Sequence, residues 1–516
     1  MDYQAPRSAW LDNAFTAAAL AIPLWAILEL VVAPAVRDSA PAWTAAGLRA
    51  AFPALILWVL LGLTLGASAN TVRRIAARLR PVRPAAPERD RKRVLILGGG
   101  FAGMTTAAKL EELLAADRTV EITLVSDSNA LLFTPMLAEV AGSSIEPTHI
   151  SSPLRSSLRR TRVVRGRVCE VDLESRRVAF QPGVPAEGPS YLEYDELILA
   201  LGGVSNFFGQ ENIKRVALDF KSLPDAIRIR NHVIALFERA EGEPDPDVRR
   251  RLLTFVVAGG GFAGIELAGA LNDFARGILD EYPHLAAEEL RVVVVHARER
   301  ILPELSESLA AYALERMSER GVQFKLNRQV ANATADTVLL HPSEEIEANT
   351  LVWTAGTAPN PLIASLDVAR DKRGAVIVNA CMSVPGHTGL WALGDCAAIP
   401  NLAEGGTYPP TAQHALREAA TLAFNIRAVL RNEMPRDFRF EARGSLCVIG
   451  HQAACAEVRA PLTRRKLRFS GLLAWLMWRA VYLSKLPGFE RKVRVLVDWV
   501  AELYFPRDTV QTIELI

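Results

Sequence analysis

The sequence predicts an α/β fold with two parallel-sheet units, preceded by a membrane-spanning helical hairpin and followed by amphipathic helices. Three observations lead to this prediction. The hexapeptide GGGFAG occurs twice, at residues 98–103 and 259–264, each time between a short apolar run and a segment rich in small residues. Two long apolar runs stand near the start of the chain, and a Trp-rich segment with basic residues stands near its end. With 516 residues, the chain has room for about two to three domains.

The two N-terminal apolar runs span residues 15–36 and 52–69, close to the roughly 20 residues that cross a bilayer as a helix. A cleaved signal peptide fits less well, because the first run lacks a basic leading segment and a second run follows at once. Arginines cluster after the second run, beginning at Arg73, and this positive-inside bias places the rest of the chain in the cytoplasm. We therefore expect two transmembrane helices within residues 1–70, a basic, Pro-rich linker over residues 71–92, and a multi-pass protein of the cytoplasmic membrane.

The first glycine-rich turn follows the apolar run Val94–Leu97, which is typical of a buried parallel strand. Gly98, Gly100 and Gly103 have the spacing of the dinucleotide fingerprint G-x-G-x-x-G. The first glycine permits a tight turn, the second lets backbone N–H groups approach a pyrophosphate, and the third lets the helix pack close to the strand. The helix N-terminus presents its free N–H groups and positive dipole end to the phosphates. This segment therefore predicts a Rossmann-like dinucleotide-binding domain.

The second copy follows the apolar run at residues 255–257 and precedes another helix-like segment. A lone fingerprint is a weak signal, but two copies between strand and helix predict two dinucleotide sites. Each site should have an acidic residue about twenty residues after its glycines to bind a ribose. The first site has Ser126 there with Asp127 beside it, and the second has His296. Arg298 and Arg300 follow His296 and would suit a 2′-phosphate.

The overall charge and the cysteine spacing argue against several other classes of protein. A net charge of +2 gives no reason to expect nucleic acid as a partner. The five cysteines form no C-x-x-C or metal-ligand pattern, so we expect no metal site. Free buried thiols in a reducing compartment are the simplest interpretation.

The C-terminal part begins with basic residues at positions 464–468 and continues into a nearly all-apolar, Trp-rich segment. A last helix is predicted around residues 493–504, where apolar residues recur at helical spacing on one face. That face suits either a core or dimer contact or an interfacial helix at a membrane surface. Basic residues beside tryptophans favour the membrane surface, so we expect residues 441–516 to form a membrane-associating or dimerisation region.

The order of the motifs resembles that of one family of flavoproteins. The motifs are GGGFAG at 98–103, FTPML at 133–137, YDELILALGG at 194–203, GGGFAGIELAGAL at 259–271, WTAG at 353–356, GDC at 394–396, PPTAQHA at 409–415 and the Trp-rich tail. The series resembles type II NADH dehydrogenases, the non-electrogenic NADH:quinone oxidoreductases of the FAD-dependent pyridine nucleotide-disulfide oxidoreductase superfamily. The resemblance covers about residues 91–510 and leaves the N-terminal hairpin outside.

The resemblance implies that an NAD(P)H-binding domain, residues 221–350, is inserted between two halves of an FAD-binding domain, residues 93–220 and 351–440. It implies FAD binding by Gly98, Gly99, Gly100, Phe101, Ala102, Gly103, Ser126, Asp127, Val168, Ala200, Gly202, Gly394, Asp395 and Gln413. It implies NADH binding, with NADPH use left open, by Gly259, Gly261, Phe262, Ala263, Gly264, Glu266, His296 and Gly356.

The implied reaction passes a hydride from NADH to FAD and then two electrons to a membrane quinone, without proton pumping. Glu266 would lie near the nicotinamide. Gln413 matches the first glutamine of the family's A-Q-x-x-x-Q quinone motif, and Arg417 stands where the second would be. The implied catalytic residues are therefore Glu266, Gln413 and Arg417, and the implied partners are a membrane quinone, the lipid bilayer and, as one possibility, a second copy of the chain.

Two other functions stay open at this stage. A thiol-dependent flavoprotein, such as a disulfide reductase or a sulfide:quinone reductase, would need a cysteine pair close to the flavin, and Cys396 has no evident partner in the sequence. A membrane-tethered flavin-binding protein with weak NAD(P)H oxidase activity, acting mainly through partners, would have the same fold.

Overall fold

The computed structural model describes residues 91–183, 188–442, 444–460 and 465–511. The predicted hairpin within residues 1–70 and the linker up to residue 90 lie outside these residues. In the part of the chain that is described, no helix combines the length and the apolar content needed to cross a bilayer.

The helices and strands are numbered in chain order. The strands are β1 Lys92–Leu97, β2 Val120–Ser126, β3 Ala130–Leu132, β4 Ser151–Pro153, β5 Arg162–Asp172, β6 Arg177–Pro182, β7 Ser190–Glu193, β8 Glu196–Leu199, β9 Gly203–Ser205, β10 Leu218–Asp219, β11 Thr254–Ala258, β12 Arg291–His296, β13 Val322–Leu326, β14 Gln329–Ala333, β15 Thr337–His341, β16 Glu344–Glu347, β17 Thr350–Trp353, β18 Thr357–Pro359, β19 Val376–Ile377, β20 Leu390–Ala392, β21 Ala397–Ala398, β22 Gly444–Gly450, β23 Ala453–Arg459 and β24 Lys466–Ser470. The α-helices are α1 Phe101–Leu113, α2 Leu137–Ala141, α3 Leu154–Ser157, α4 Glu211–Val216, α5 Leu223–Glu241, α6 Pro246–Leu252, α7 Phe262–Ile278, α8 Glu307–Glu319, α9 Ala412–Leu430, α10 Gly471–Lys485 and α11 Phe489–Ala501.

The larger sheet has seven strands in the order β20-β8-β1-β2-β5-β6-β7. Its first five strands are parallel, and β6 and β7 add an antiparallel edge. Strand β1 is buried from Val94 to Leu97, as its continuous apolar run predicts for a parallel strand covered on both faces. Helix α1 follows β1 directly and packs along α9, which therefore lies close to the first glycine-rich turn.

The smaller sheet has five parallel strands in the order β10-β17-β11-β12-β13. Strand β11 leads through the second glycine-rich turn into α7, which repeats the β1–α1 arrangement of the larger sheet. The chain leaves the larger sheet after β8 and returns to it with β20, and all strands of the smaller sheet lie between these two. This confirms the predicted α/β fold with two Rossmann-like units. The predicted domain boundaries at 221 and 350 stay predictions, and the smaller sheet itself runs from Leu218 to Trp353.

The C-terminal region forms a three-stranded antiparallel sheet, β22-β23-β24, followed by α10 and α11. Strand β22 lies directly against α7, since a Cβ atom added to Gly269 would be 2.8 Å from the carbonyl carbon of Ile449. Helix α11 has two faces: Val495 and Trp499 are buried, whereas Val497 and Val500 are 60% and 49% exposed. The predicted amphipathic pattern is therefore present in the folded chain.

One hydrophobic core joins three distant parts of the sequence. It contains Phe133 and Met136 from the FTPML segment, the buried faces of the smaller sheet and α7, and the tail residues Trp478 and Trp499. The C-terminal tail thus packs against the FTPML segment, the smaller sheet and α7.

Candidate functional site

The first glycine-rich turn is tightly packed against neighbouring backbone on one side and borders an open space on the other. Gly98 has a positive φ of +111°, and a Cβ atom there would be 2.1 Å from the carbonyl oxygen of Ala200 at the end of β8. A Cβ atom on Gly103 would be 1.9 Å from the carbonyl oxygen of Gly98, so helix and turn touch. A Cβ atom on Gly100, the residue before α1, would meet nothing within 4 Å. No side chain caps α1, so its first N–H groups face this space and fit a pyrophosphate.

The second turn repeats this geometry. Gly259 has φ +123°, and a Cβ atom on Gly264 would be 1.9 Å from the carbonyl oxygen of Gly259. A Cβ atom on Gly261 would meet only the Glu304 carboxylate, at 3.9 Å. The helix α7 likewise begins without a side-chain cap. Both turns therefore have the shape and the N–H donors of dinucleotide sites.

The residues at the expected ribose positions behave differently in the two units. Ser126 is buried at the end of β2, where its hydroxyl accepts the N–H of Ser128 at 3.3 Å, while Asp127 is exposed beside it. At the end of β12, His296 accepts the N–H of Gly260 through Nδ1 at 3.1 Å. Burial lowers the pKa of His296 against the opposing effect of the Arg300 backbone, and Arg298 lowers it further, so the ring is neutral and carries its proton on Nε2. Among the described residues, the buried Nε2 atom has no hydrogen-bond partner.

The GDC segment approaches the first turn from the other half of the larger sheet. Gly394 has φ +72°, and a Cβ atom there would be 3.2 Å from the Cβ of Ala102. The next residue, Asp395, lies close to Gly203, where an added Cβ atom would be 3.4 Å from the Cβ of Asp395. The Gly394 N–H donates to the carboxyl of Glu418 at 2.8 Å. Burial raises the pKa of Glu418 to about 7, an effect that the Gly394 N–H opposes and Asp395 enhances.

Glu418 is a polar group of this site that was not predicted from the sequence. It lies on the buried face of α9 with Ala415, Ala419 and Leu422, and a single carboxyl on an otherwise apolar helix face was the feature of the sequence that could have indicated it. Of the other predicted residues, Ala200 borders the first glycine-rich turn through its carbonyl oxygen, and Gly202 follows two residues later. Val168 is half-buried on β5, and Gly356 lies against the ring of Phe208.

Glu266 lies one turn into α7, where it is half-buried and is contacted by the C-terminal tail. Its carboxyl accepts the Val448 N–H at 3.3 Å and the indole N–H of Trp478 at 3.2 Å. Burial raises the pKa of Glu266 to about 8, although both hydrogen bonds favour the charged form. This carboxyl is therefore protonated at neutral pH and can hold a proton inside the protein.

A second buried carboxyl, Glu139, lies nearby in the segment that follows FTPML. It accepts the indole N–H of Trp499 at 3.3 Å and lies 4.0 Å from the guanidinium of Arg479. Burial raises the pKa of Glu139 to about 7, against the opposing effect of Arg479. Glu139 was not among the residues predicted for the site, although one carboxyl within the apolar run at residues 131–142 is itself a signal.

The two residues predicted at the quinone occupy neighbouring turns of α9. Gln413 is half-buried near the start of the helix, and Arg417 is exposed with its guanidinium 5.7 Å from the centre of the Phe440 ring. Phe440 packs in turn against His414 and Phe438. The aromatic cluster beside this helix could not be assigned from the sequence, because its members lie in different segments.

The cysteines include one close pair, since Cys447 and Cys455 lie opposite each other on β22 and β23, but both are free thiols and burial raises the pKa of each. All five are free thiols, and Cys396, the one nearest the predicted flavin site in sequence, is buried against the carbonyl oxygens of Leu199 and Leu393. Burial raises the pKa of Cys396, so it is a thiol rather than a reactive thiolate. Among the described residues, no cluster of side chains has the arrangement of a metal site.

Comparisons with known proteins agree with this geometry. Residues 92–419 match the family model of pyridine nucleotide-disulphide oxidoreductases, and residues 443–508 match that of the NDH2 C-terminal domain. The chain is 32% identical over 432 residues to the type II NADH:quinone oxidoreductase Ndh of Mycobacterium tuberculosis, which covers 81% of this chain and 89% of that relative. It is 27% identical over 450 residues to the internal alternative NAD(P)H-ubiquinone oxidoreductase A1 of Arabidopsis thaliana mitochondria, covering 82% and 86%. The fold matches the structure of NDH2 from Plasmodium falciparum in complex with NADH with a TM-score of 0.73, over 81% of this chain and all of that one, at 18% identity.

Proposed function

The chain belongs to the type II NADH:quinone oxidoreductases, and from this premise we propose which of its residues hold the two nucleotides, the quinone and the proton. The protein is an FAD-dependent enzyme that oxidises NADH and reduces a quinone. FAD held at the first glycine-rich turn would supply the redox chemistry between NADH and the quinone, and the chain binds and orients the reactants.

The first turn holds the FAD pyrophosphate at Gly98–Gly103. The open space in front of Gly100 and the contact between Gly103 and Gly98 support this assignment. Asp127 is the exposed carboxylate directly after β2 and binds the ribose, whereas the Ser126 side chain is buried. Asp395 binds the ribityl side of FAD from the GDC segment.

The second turn holds NADH at Gly259–Gly264. His296 takes the place of the usual acid at the end of β12, where its Nδ1 accepts the Gly260 N–H of the second glycine-rich turn. A neutral imidazole does not repel a 2′-phosphate as a carboxylate does, and Arg298 is exposed nearby. We therefore expect NADH as the substrate with weaker discrimination against NADPH than an acidic residue gives.

Quinone binds where α9 faces the flavin, with Gln413 as a hydrogen-bond partner and Arg417 as a cation at the rim. Glu266 provides a proton close to the nicotinamide and the reacting ring. The observation that supports this role most directly is its burial under Trp478 and Val448, which keeps the carboxyl protonated.

Membrane attachment involves both ends of the chain. The hairpin predicted within residues 1–70 lies outside the described residues, and its apolar runs support attachment to the membrane with the catalytic units on the cytoplasmic side. The exposed face of α11, with Val497 and Val500, lies at the membrane surface or in a homodimer. A protein lacking residues 1–85 should remain folded and bind anionic vesicles in low salt, and high salt should release it.

The proposal is tested by following the two half-reactions separately. The full-length protein should bind one FAD, which anaerobic NADH reduces and a soluble quinone then reoxidises in stopped-flow absorbance. Glu266→Gln should slow reoxidation by about 100-fold and reduction much less, because a positioned proton donor contributes about that factor. Equal rates for wild type and variant in both steps would remove Glu266 from the mechanism.

A further inference from the structure

A carboxylate that has no role in the site described above lies against the second glycine-rich turn. A Cβ atom added to Gly261 would meet a single group within 4 Å, the Oε1 atom of Glu304 at 3.9 Å. The nearest neighbours of the other glycines of this turn are backbone atoms, the Thr354 side chain and the His296 ring. Glu304 is exposed, and within the described part of the chain its carboxylate makes no hydrogen bond or salt bridge. It is therefore a charge at the turn that no protein group neutralises by direct contact.

The loop that carries Glu304 is held onto the turn by its backbone. Leu302 donates its N–H to the carbonyl oxygen of Gly260 at 2.8 Å. Leu302 also has a φ of +47°, a left-handed conformation that is uncommon for a residue other than glycine and that bends the loop sharply. The side chains of Leu302 and Leu305 are 0% and 3% exposed, so the loop is anchored in the core on both sides of Glu304. The carboxylate is thus presented at the turn from a loop whose two ends are fixed.

The residue at the usual position of the acid is used differently. A Cβ atom added to Gly260 would be 2.7 Å from Cγ of His296, so the ring packs directly against the turn. Its Nδ1 atom accepts the Gly260 N–H at 3.1 Å, and its Nε2 atom is buried. Burial also lowers the pKa of His296 and keeps the ring neutral. His296 therefore supports the turn, and it presents neither a negative charge nor an exposed acceptor to a ribose.

The position of Glu304 matches the place where this fold holds a ribose. In dinucleotide-binding units the adenosine ribose follows the pyrophosphate and lies between the helix N-terminus and the end of the second strand. Here these are the start of α7 at Phe262 and the end of β12 at His296. The loop with Glu304 leaves the end of β12 and returns to the turn before α7, so its carboxylate borders the space between them. A carboxylate there can accept hydrogen bonds from the 2′- and 3′-hydroxyls.

We propose that Glu304 is the residue by which this site distinguishes NADH from NADPH. Its carboxylate accepts hydrogen bonds from the adenosine ribose and repels the additional phosphate that NADPH carries at the 2′ position. Arg298 is exposed on the same loop and attracts that phosphate, so the preference for NADH is the balance of these two charges. The acid that this fold usually takes from the end of the second strand is supplied here by the loop that follows it. This inference rests on the placement of NADH at the second glycine-rich turn proposed above.

The test measures the affinity of the full-length FAD-loaded protein for two ligands that lack the nicotinamide, ADP-ribose and 2′-phospho-ADP-ribose. The two differ only in the 2′-phosphate, so isothermal titration calorimetry with both reports on the adenosine end of the site. Glu304→Gln keeps the size and the carbonyl acceptor of the side chain but removes its charge. In this variant the affinity for 2′-phospho-ADP-ribose should rise about tenfold, because one repulsion is lost, while the affinity for ADP-ribose should change by less than about threefold.

Salt and turnover provide two further readouts. Because the effect is Coulombic, the ratio of the two affinities in the wild type should approach that of Glu304→Gln as NaCl is raised from about 0.05 M to about 0.5 M. The ratio of kcat/KM for NADH over NADPH should fall in Glu304→Gln by the same factor as the affinity ratio. Glu299→Gln is the matched control, since Glu299 is the other exposed carboxyl of this loop, and it should behave as the wild type.

The outcomes separate the role of Glu304 from the placement of NADH. Unchanged affinities in Glu304→Gln, or an equal gain for both ligands, would overturn the inference, and the equal gain would mean that the carboxylate acts on the pyrophosphate. The same relaxation in Glu299→Gln would assign the effect to the net charge of the loop and would also overturn it. Gly261→Ala tests the placement, because its methyl group should weaken both ligands about tenfold. If neither ligand is weakened, the second turn is not the nucleotide site, and that part of the proposed function fails as well.

Discussion

Replacing Glu266 by Gln should change how the stability of the protein depends on pH. Glutamine keeps the size and the hydrogen-bond acceptor of the side chain but cannot ionise. In the wild type, burial raises the pKa of Glu266 from 4.5 to about 8. Between these values the folded protein holds a proton that the unfolded chain releases, so the folded wild type loses stability as the pH rises from about 4.5 to about 8. Below this window both states are protonated, and above it both are ionised.

The size of the effect follows from the displacement of the pKa. A change from 4.5 to about 8 corresponds to roughly 5 kcal/mol of unfolding free energy between the two ends of the window. With an unfolding entropy of about 2.1 cal/mol/K per residue over roughly 400 described residues, this amounts to about 6 °C in Tm over the whole window. The FAD-loaded protein in detergent should therefore show a Tm difference, wild type minus variant, that falls by about 4 °C between pH 5 and pH 8, measured by flavin fluorescence.

A matched control comes from the surface of α8. Glu315→Gln replaces an exposed carboxyl, so its Tm difference from wild type should stay constant over the same pH range. A Glu266→Gln difference that stays constant, or that moves in favour of the wild type at pH 8, would refute the reasoning. It would mean that a positive group stabilises the ionised carboxylate in the folded protein.

Three further predictions concern the nucleotide and quinone sites. Gly100→Ala should leave the circular dichroism spectrum unchanged, because the added Cβ atom meets nothing within 4 Å. It should weaken FAD binding at least about tenfold, because the methyl group occupies the pyrophosphate space. Normal flavin content in the variant would contradict this prediction. His296→Glu should raise the ratio of kcat/KM for NADH over NADPH about tenfold or more, since a carboxylate repels the 2′-phosphate; an unchanged ratio would exclude contact at this position. Arg417→Ala should slow flavin reoxidation by quinone and leave reduction by NADH intact, whereas equal losses in both half-reactions, or none in either, would leave Gln413 as the only supported quinone contact.

The two glycine-rich turns could be predicted from the sequence because their geometry is local. A positive φ at Gly98 and the contact between Gly103 and Gly98 involve residues within one turn of chain, so spacing alone indicates them. The same applies at Gly259 and Gly264. The apolar run of β1 gave the parallel strand for a similar reason, since burial on both faces leaves no alternation.

The surroundings of Glu266 could not be predicted in this way. Its two hydrogen-bond donors, Val448 and Trp478, lie 182 and 212 residues further along the chain. Local periodicity predicts that α10 is apolar on nearly every side, but it does not predict which face of α10 contacts α7. The sequence therefore identified Glu266 through its place after the second fingerprint and through family resemblance, without indicating that the tail would enclose it.

The tail consequently has one face that packs on the protein core and one face that is exposed, and the amphipathic pattern alone does not indicate which apolar residues lie on which face. On α11, Trp499 points inward and donates to Glu139, whereas Val497 and Val500 point outward. On α10, Trp478 donates to Glu266. The indole N–H groups donate to these two carboxyls, and the indole rings reduce their contact with solvent, which raises their pKa values. A change that loosens the tail from α7 would therefore expose Glu266 further to water and lower its pKa, so the surface that we place at the membrane and the protonation of the carboxyl that we propose for the active site depend on the same packing.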